Sequence, residues 1–176
     1  MANNFQIHLT DNSDTVLQAI KDSTAVGLEK VGIECRDNAK IEITNAGVVD
    51  TGTLLNSITY KVIDYEVYTG SNLFYAPYVC HGTGRFADNG QGRPGWWVFI
   101  KGKHNEPSDE PRPTYTKEQA LKIYHALVSK ALKGEADYSP DDVWITQGQK
   151  PTHFLQKAIE DHMEEYKQII KDSFVF

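Results

Sequence analysis

Cysteine is scarce in this chain. Two occur among 176 residues, Cys35 and Cys80, and no CxxC is present. Two thiols are too few for a disulfide scaffold, so the expectation is a pair of reduced thiols in a cytosolic protein. Long apolar runs are missing too. The longest is Trp96–Ile100, far below the ~20 residues that span a bilayer, and no membrane partner is expected. Met1 to Asp14 is polar without a basic start, so no signal peptide is expected. An excess of positive charge is also absent: the formal net charge is −6. Carboxylates outnumber Lys and Arg eight to four over residues 1–50 and five to three over 156–176, while 51–102 reverses the balance at three to four. A protein that grips nucleic acid tightly is normally basic, so tight binding is not expected.

What is present is an ordinary globular composition, 40% apolar and 24% charged, long enough for one domain with a real core. Leu17, Ile20, Leu28, Val31, Cys35 and Ala39 recur at helical spacing, which predicts one long helix over 14–43. Asp11 to Asp14 offer its N-cap, and Asn45-Ala46-Gly47 offers its stop. Ile58, Tyr60 and Val62 alternate with polar residues, and Tyr65, Val67 and Thr69 continue the pattern, as in a hairpin. Trp96–Lys101 and Val143–Thr146 read as further strands. Pro77 suits the first turn of a short helix. Residues 103–142 read as an insertion within a single domain spanning 1–176. It begins with a proline-rich loop and continues as a helix opened by the capping box Thr116 to Gln119. Thr152 is expected to cap a final helix with Leu155, Ile159, Tyr166 and Ile169 along its stripe. The order implies an α+β fold, with helices packed on one small, mostly antiparallel sheet.

Three segments stand out: Val48–Ile58, Thr69–Gly84 and Gly148–Ile159. The first contains Asp50-Thr51-Gly52, the aspartic-protease triplet, and superficially resembles a dimeric retroviral-type protease in which two such aspartates activate water. Those proteases are nearly all β, whereas here the triplet follows a helix break. Capping of the turn Gly52–Ser57 by Asp50 or Thr51 accounts for it. Gly90 to Gly95 spells GxGxxG, but Pro94 and the strand after it deny the helix N-terminus that a dinucleotide site needs. Cys80-His81 could supply a thiol and a base, yet adjacent side chains rarely face each other and no orienting acid stands out. The histidines lack ligand spacing, so neither metal nor other cofactor is expected. Arg85, Phe86, Arg93, Trp96 and Trp97, with Lys101 and Lys103, interleave basic and aromatic residues. They could clamp a single nucleic-acid strand, form a protein interface, or simply pack a strand between solvated ends.

The series Val49 to Ile58, then Gly70-Ser71-Asn72, Tyr75-Ala76-Pro77-Tyr78-Val79 and His81-Gly82-Thr83-Gly84, then Lys150-Pro151-Thr152-His153-Phe154-Leu155, resembles a tail-component family of long-tailed bacteriophages. These are neck, or head-to-tail joining and tail-completion, proteins. The resemblance covers about residues 10–102 and 143–172. Cys80-His81 before the Gly-Thr, and Thr152-His153 between Pro151 and Phe154, depart from the family pattern. The resemblance implies a virion structural protein rather than an enzyme, with a tail-terminator-like twisted sheet between long helices. It implies a ring, commonly a hexamer, assembled in the host bacterial cytoplasm and sitting between head and tail. Its partners would be further copies, head-closure or connector proteins, and tail-terminator or tail-tube proteins, with DNA passing through the lumen. Asp50, Thr51 and Gly52 would fix the first turn. Tyr75, Pro77, Tyr78, Gly82 and Thr83 would fix the second bend. Pro151, Phe154 and Leu155 would seat the last helix.

Overall fold

The computed structural model describes residue 8 and residues 10–49, 51–103 and 113–174. In chain order the elements are α1 Ser13–Asn45, α2 Thr53–Ser57, β1 Ile58–Ile63, β2 Glu66–Ser71, α3 Ala76–His81, β3 Trp97–Ile100, α4 Lys117–Leu132, β4 Val143–Thr146, α5 Phe154–Glu160 and α6 Met163–Ser173. The fold is α+β. Its contacts divide it into two compact units, one made of the described residues up to Asn72 with those from Phe154 onward, the other of Leu73–His153. Among the described residues no helix is long and apolar enough to cross a membrane.

The first unit is organised along α1. This helix runs 33 residues, about 50 Å at 1.5 Å per residue. It ends where the sequence stops it, at Asn45, with Gly47 left-handed at φ 66°. The expected apolar stripe shifts, however. Leu17 and Ile20 are exposed, and the buried line is Gly27, Gly32, Cys35, Asn38, Ala39 and Ile43. Small residues line this face because partners press onto the helix backbone. A Cβ at Gly32 would overlap the Tyr60 ring, and one at Gly27 would lie 2.7 Å from Ser173 Oγ. Cys35 and Ala39 of the expected stripe are buried, with Leu28 and Val31 half-buried; the pattern of large apolar side chains misses Gly27, Gly32 and Asn38.

β1 and β2 form an antiparallel hairpin, with Ile63 opposite Glu66 and Ile58 opposite Ser71. The two turn residues, Asp64 and Tyr65, both have positive φ, 49° and 65°. That is the type I′ geometry whose twist matches the strands. Tyr60 faces α1: its hydroxyl donates to Glu29 at 3.0 Å and the Arg36 guanidinium lies 5.8 Å from its ring centre.

The final helix is not continuous. α5 and α6 are separated by Asp161-His162, and their buried residues are Phe154, Ala158 and Tyr166 rather than Ile159, which is exposed. Thr152 does not cap it; its hydroxyl donates to the Val79 carbonyl at 2.9 Å. Tyr166 instead locks these helices to α1. Its hydroxyl accepts from Asn38 Nδ2 at 3.0 Å and donates to the Ala158 carbonyl at 2.6 Å. Burial, the largest cause, pushes its pKa up to about 12.

The second unit holds β3 and β4, paired antiparallel with Val98 opposite Ile145 and Phe99 opposite Trp144. The expected proline-rich loop before α4 falls mostly on 104–112, outside the described residues; α4 itself packs on this ribbon as a covering layer. Its capping box forms as expected: Gln119 N donates to Thr116 Oγ1 at 3.3 Å and Thr116 N donates to Gln119 Oε1 at 2.9 Å. Among the described residues the expected single sheet is two separate two-stranded sheets. Each ribbon shields its apolar face with its own helix, α1 in one case and α4 in the other. Bare two-stranded ribbons are marginal, and this cover makes each one viable.

Candidate functional site

The Thr69–Gly84 and Gly148–Ile159 segments, far apart in sequence, meet through backbone in the second unit. Thr83 N donates to the Gln149 carbonyl at 2.9 Å, and Gln149 N donates back to Thr83 Oγ1 at 2.9 Å. Arg85 N reaches the Gln147 carbonyl at 2.9 Å. Thr152 N and His153 N reach the Val79 and Cys80 carbonyls at 3.2 and 3.0 Å. These bonds satisfy the last carbonyls of α3, which its own turns cannot. The chains approach so closely that Gly148 has no room for a Cβ, which would overlap the Thr83 carbonyl oxygen; its φ of 125° also suits glycine alone.

A cleft of about 450 Å³ opens beside this knot, between α3 and residues 87–93. Pro77, Tyr78, His81, Thr83, Asp88 and Arg93 contribute to its lining. Asp88 is its electrostatic centre. One carboxylate oxygen lies 3.3 Å from His81 Nδ1 and 3.5 Å from His153 Nδ1, so the loop faces both partner segments through a single acceptor. Cys80 is buried while His81 is exposed, so the two adjacent side chains lie in different environments. Among the described residues no group of three or more His, Cys, Asp or Glu is placed to hold a metal ion.

The first segment stands in the other unit. Asp50 lies outside the described residues. Thr51 Oγ1 contacts Thr53 Oγ1 at 2.6 Å and accepts weakly from Thr53 N at 3.4 Å. The N-cap of α2 is Gly52 itself, left-handed at φ 76°. Of the residues expected to seat the last helix, Phe154 is fully buried, Leu155 half-buried and Pro151 half-buried. Tyr75 stacks edge-on with Phe74 at 5.5 Å, whereas Pro77 and Tyr78 are exposed. Gly90 to Gly95 leads into a strand and not a helix.

The basic and aromatic residues are absorbed locally. Arg93 lies 4.8 Å over the Trp97 ring and donates to the Pro113 carbonyl. Trp96 bridges to Tyr115, with Lys117 5.6 Å over its ring. Lys103 pairs with Asp137. Arg85 is exposed and Phe86 half-buried. The sequence reading passed over Asp88, and over Phe99 with Trp144. These two rings stack across the ribbon with centres 6.4 Å apart and both are exposed. The run Val143-Trp144-Ile145 is apolar without alternation, so no sequence signal marks Trp144 as the outward side chain.

No protein-family model, curated protein or solved structure matches this chain.

Proposed function

We propose that the chain is a structural subunit of a long-tailed bacteriophage virion, a neck or tail-completion protein that forms a ring joining head to tail. The observation that carries this reading is the number of large apolar side chains left in solvent. Phe74 is 80% exposed and Leu132 73%. Tyr65, Tyr68, Tyr78, Phe99 and Trp144 join them. Scattered exposed residues are ordinary, but this many exposed aromatic side chains, some in each unit, suit a subunit that is covered by neighbours when assembled. The three ordered motifs that resemble the tail-component family support the same reading. Two of them are tied to each other by backbone hydrogen bonds in this chain, which supports a geometric role. In the assembled ring the acid-rich helices would repel DNA passing through the lumen.

The test is native mass spectrometry of the full chain, alone and mixed with candidate head-closure and tail-tube proteins. A closed ring, alone or with a neighbour, is expected. A chain that stays monomeric in every mixture overturns the reading.

A further inference from the structure

We propose that the β1–β2 hairpin is the joint between copies, with the outer edge of β1 in one copy adding to the outer edge of β2 in the next. The proposal rests on the ring reading above and names the surface that closes it. Among the described residues the hairpin is a sheet of two strands only, so each strand has one edge with no strand beside it. The register runs unbroken over six pairs, and neither strand contains proline. Bulges and prolines are two of the devices that stop an edge from accepting another chain, and an edge lysine such as Lys61 is a third, which an opposing carboxylate neutralises.

The backbone groups available on these edges follow from the turn. In a two-residue hairpin Ile63 and Glu66 share hydrogen bonds, and the bonding alternates along the ladder. Tyr60 and Val62 on β1, and Val67 and Thr69 on β2, therefore direct their N–H and C=O groups outward. The strands of the hairpin are antiparallel, so adding β2 of one copy to β1 of the next keeps the alternation. The contact is heterologous, the kind that repeats around an axis until it closes.

Charge selects both the partner and the register. Thr59, Lys61, Ile63, Glu66 and Tyr68 occupy the face away from α1, and all are exposed. Lys61 lies on one edge strand and Glu66 on the other. Lys61 makes no ion pair among the described residues. The Glu66 carboxylate accepts from Tyr68 Oη at 2.5 Å, and its second oxygen can accept more. Placing Tyr60 opposite Val67 of the next copy brings Lys61 directly opposite Glu66 and Thr59 opposite Tyr68. Opposite charges facing across strands favour that register over its neighbours. The occupant that fits each edge is thus a second copy of this chain.

The test mixes two full-length single variants, Lys61→Cys and Glu66→Cys, under mild oxidation. The native thiols Cys35 and Cys80 are buried, and the unmodified chain serves as control. Disulfide-linked pairs are expected on mixing and not from either variant alone. Lys61→Glu should reduce ring yield tenfold or more with an unchanged melting curve, and adding Glu66→Lys should restore it. Rings that form without cross-links, and that tolerate Lys61→Glu, place the joint elsewhere and overturn this proposal alone. No ring under any condition overturns the ring reading and the joint with it.

Discussion

Thr83 and Gln149 bond to each other twice, backbone to backbone and backbone to hydroxyl, each at 2.9 Å across 66 positions of sequence. This reciprocal pair fixes the bend after α3 to the segment that follows β4, and it shapes one wall of the cleft at Asp88. Replacing Thr83 by valine keeps the shape and removes the acceptor. The Gln149 N–H then loses its partner, at a cost of about 1–2 kcal/mol. Chemical denaturation should show a lower midpoint with an unchanged slope.

Gly148 gives the sharper loss. Alanine there must adopt a left-handed φ of 125° and overlap the Thr83 carbonyl oxygen. Strain and overpacking together predict about 2–4 kcal/mol of destabilisation. Gly47→Ala is the control, since a Cβ there meets nothing within 4 Å. It should cost only the φ strain, about 1 kcal/mol. Equal melting temperatures for the two variants would refute the knot as a source of rigidity.

Tyr166→Phe leaves the Asn38 amide and the Ala158 carbonyl without their shared hydroxyl. A loss of about 1–3 kcal/mol is expected. The native tyrosine also makes stability pH-dependent. Its folded pKa is raised from 10.0 to about 12, so the unfolded chain releases the phenolic proton first. The stabilisation is whole below about pH 10 and fades as pH climbs from there toward 12. Denaturation midpoints measured from pH 8 upward should fall more steeply for the native chain than for Tyr166→Phe.

Phe99 and Trp144 should matter little to the isolated subunit. Both are exposed, and losing their stacking costs about 0.5–1.5 kcal/mol. If the ribbon face meets a neighbour, Phe99→Ser with Trp144→Ser should abolish that association while the monomer melts within a few degrees of the native chain. Calorimetry and native mass spectrometry on the same samples separate the two effects.

Asp50→Asn distinguishes a structural triplet from a catalytic one. The N-cap of α2 is Gly52 and not Asp50, so ring assembly and stability should be unchanged. A protease would lose its activity with the same change. Cleavage of a substrate by the native chain that is absent from Asp50→Asn would reverse the assignment.

Much of the local structure was legible in the sequence. The stop at Asn45-Ala46-Gly47, the hairpin, the capping box at Thr116 and the strand Val143–Thr146 all follow from signals that act within a few residues, through propensity, capping and alternation. The role of Thr152 was not legible, because its hydroxyl bonds to Val79, a partner 73 positions away. Nor was all of the buried face of α1: Cys35 and Ala39 were legible, but its glycines were not. Gly27 and Gly32 carry no apolar signal, and only the Tyr60 ring and Ser173 pressing on the backbone give them a role. The division of four strands into two ribbons, and the shared Asp88 between His81 and His153, also depend on what packs against what. Helix ends and turns are set by bonds between near neighbours, which the sequence itself specifies. The pairing of distant segments is set by surface complementarity, which exists only once the chain has folded.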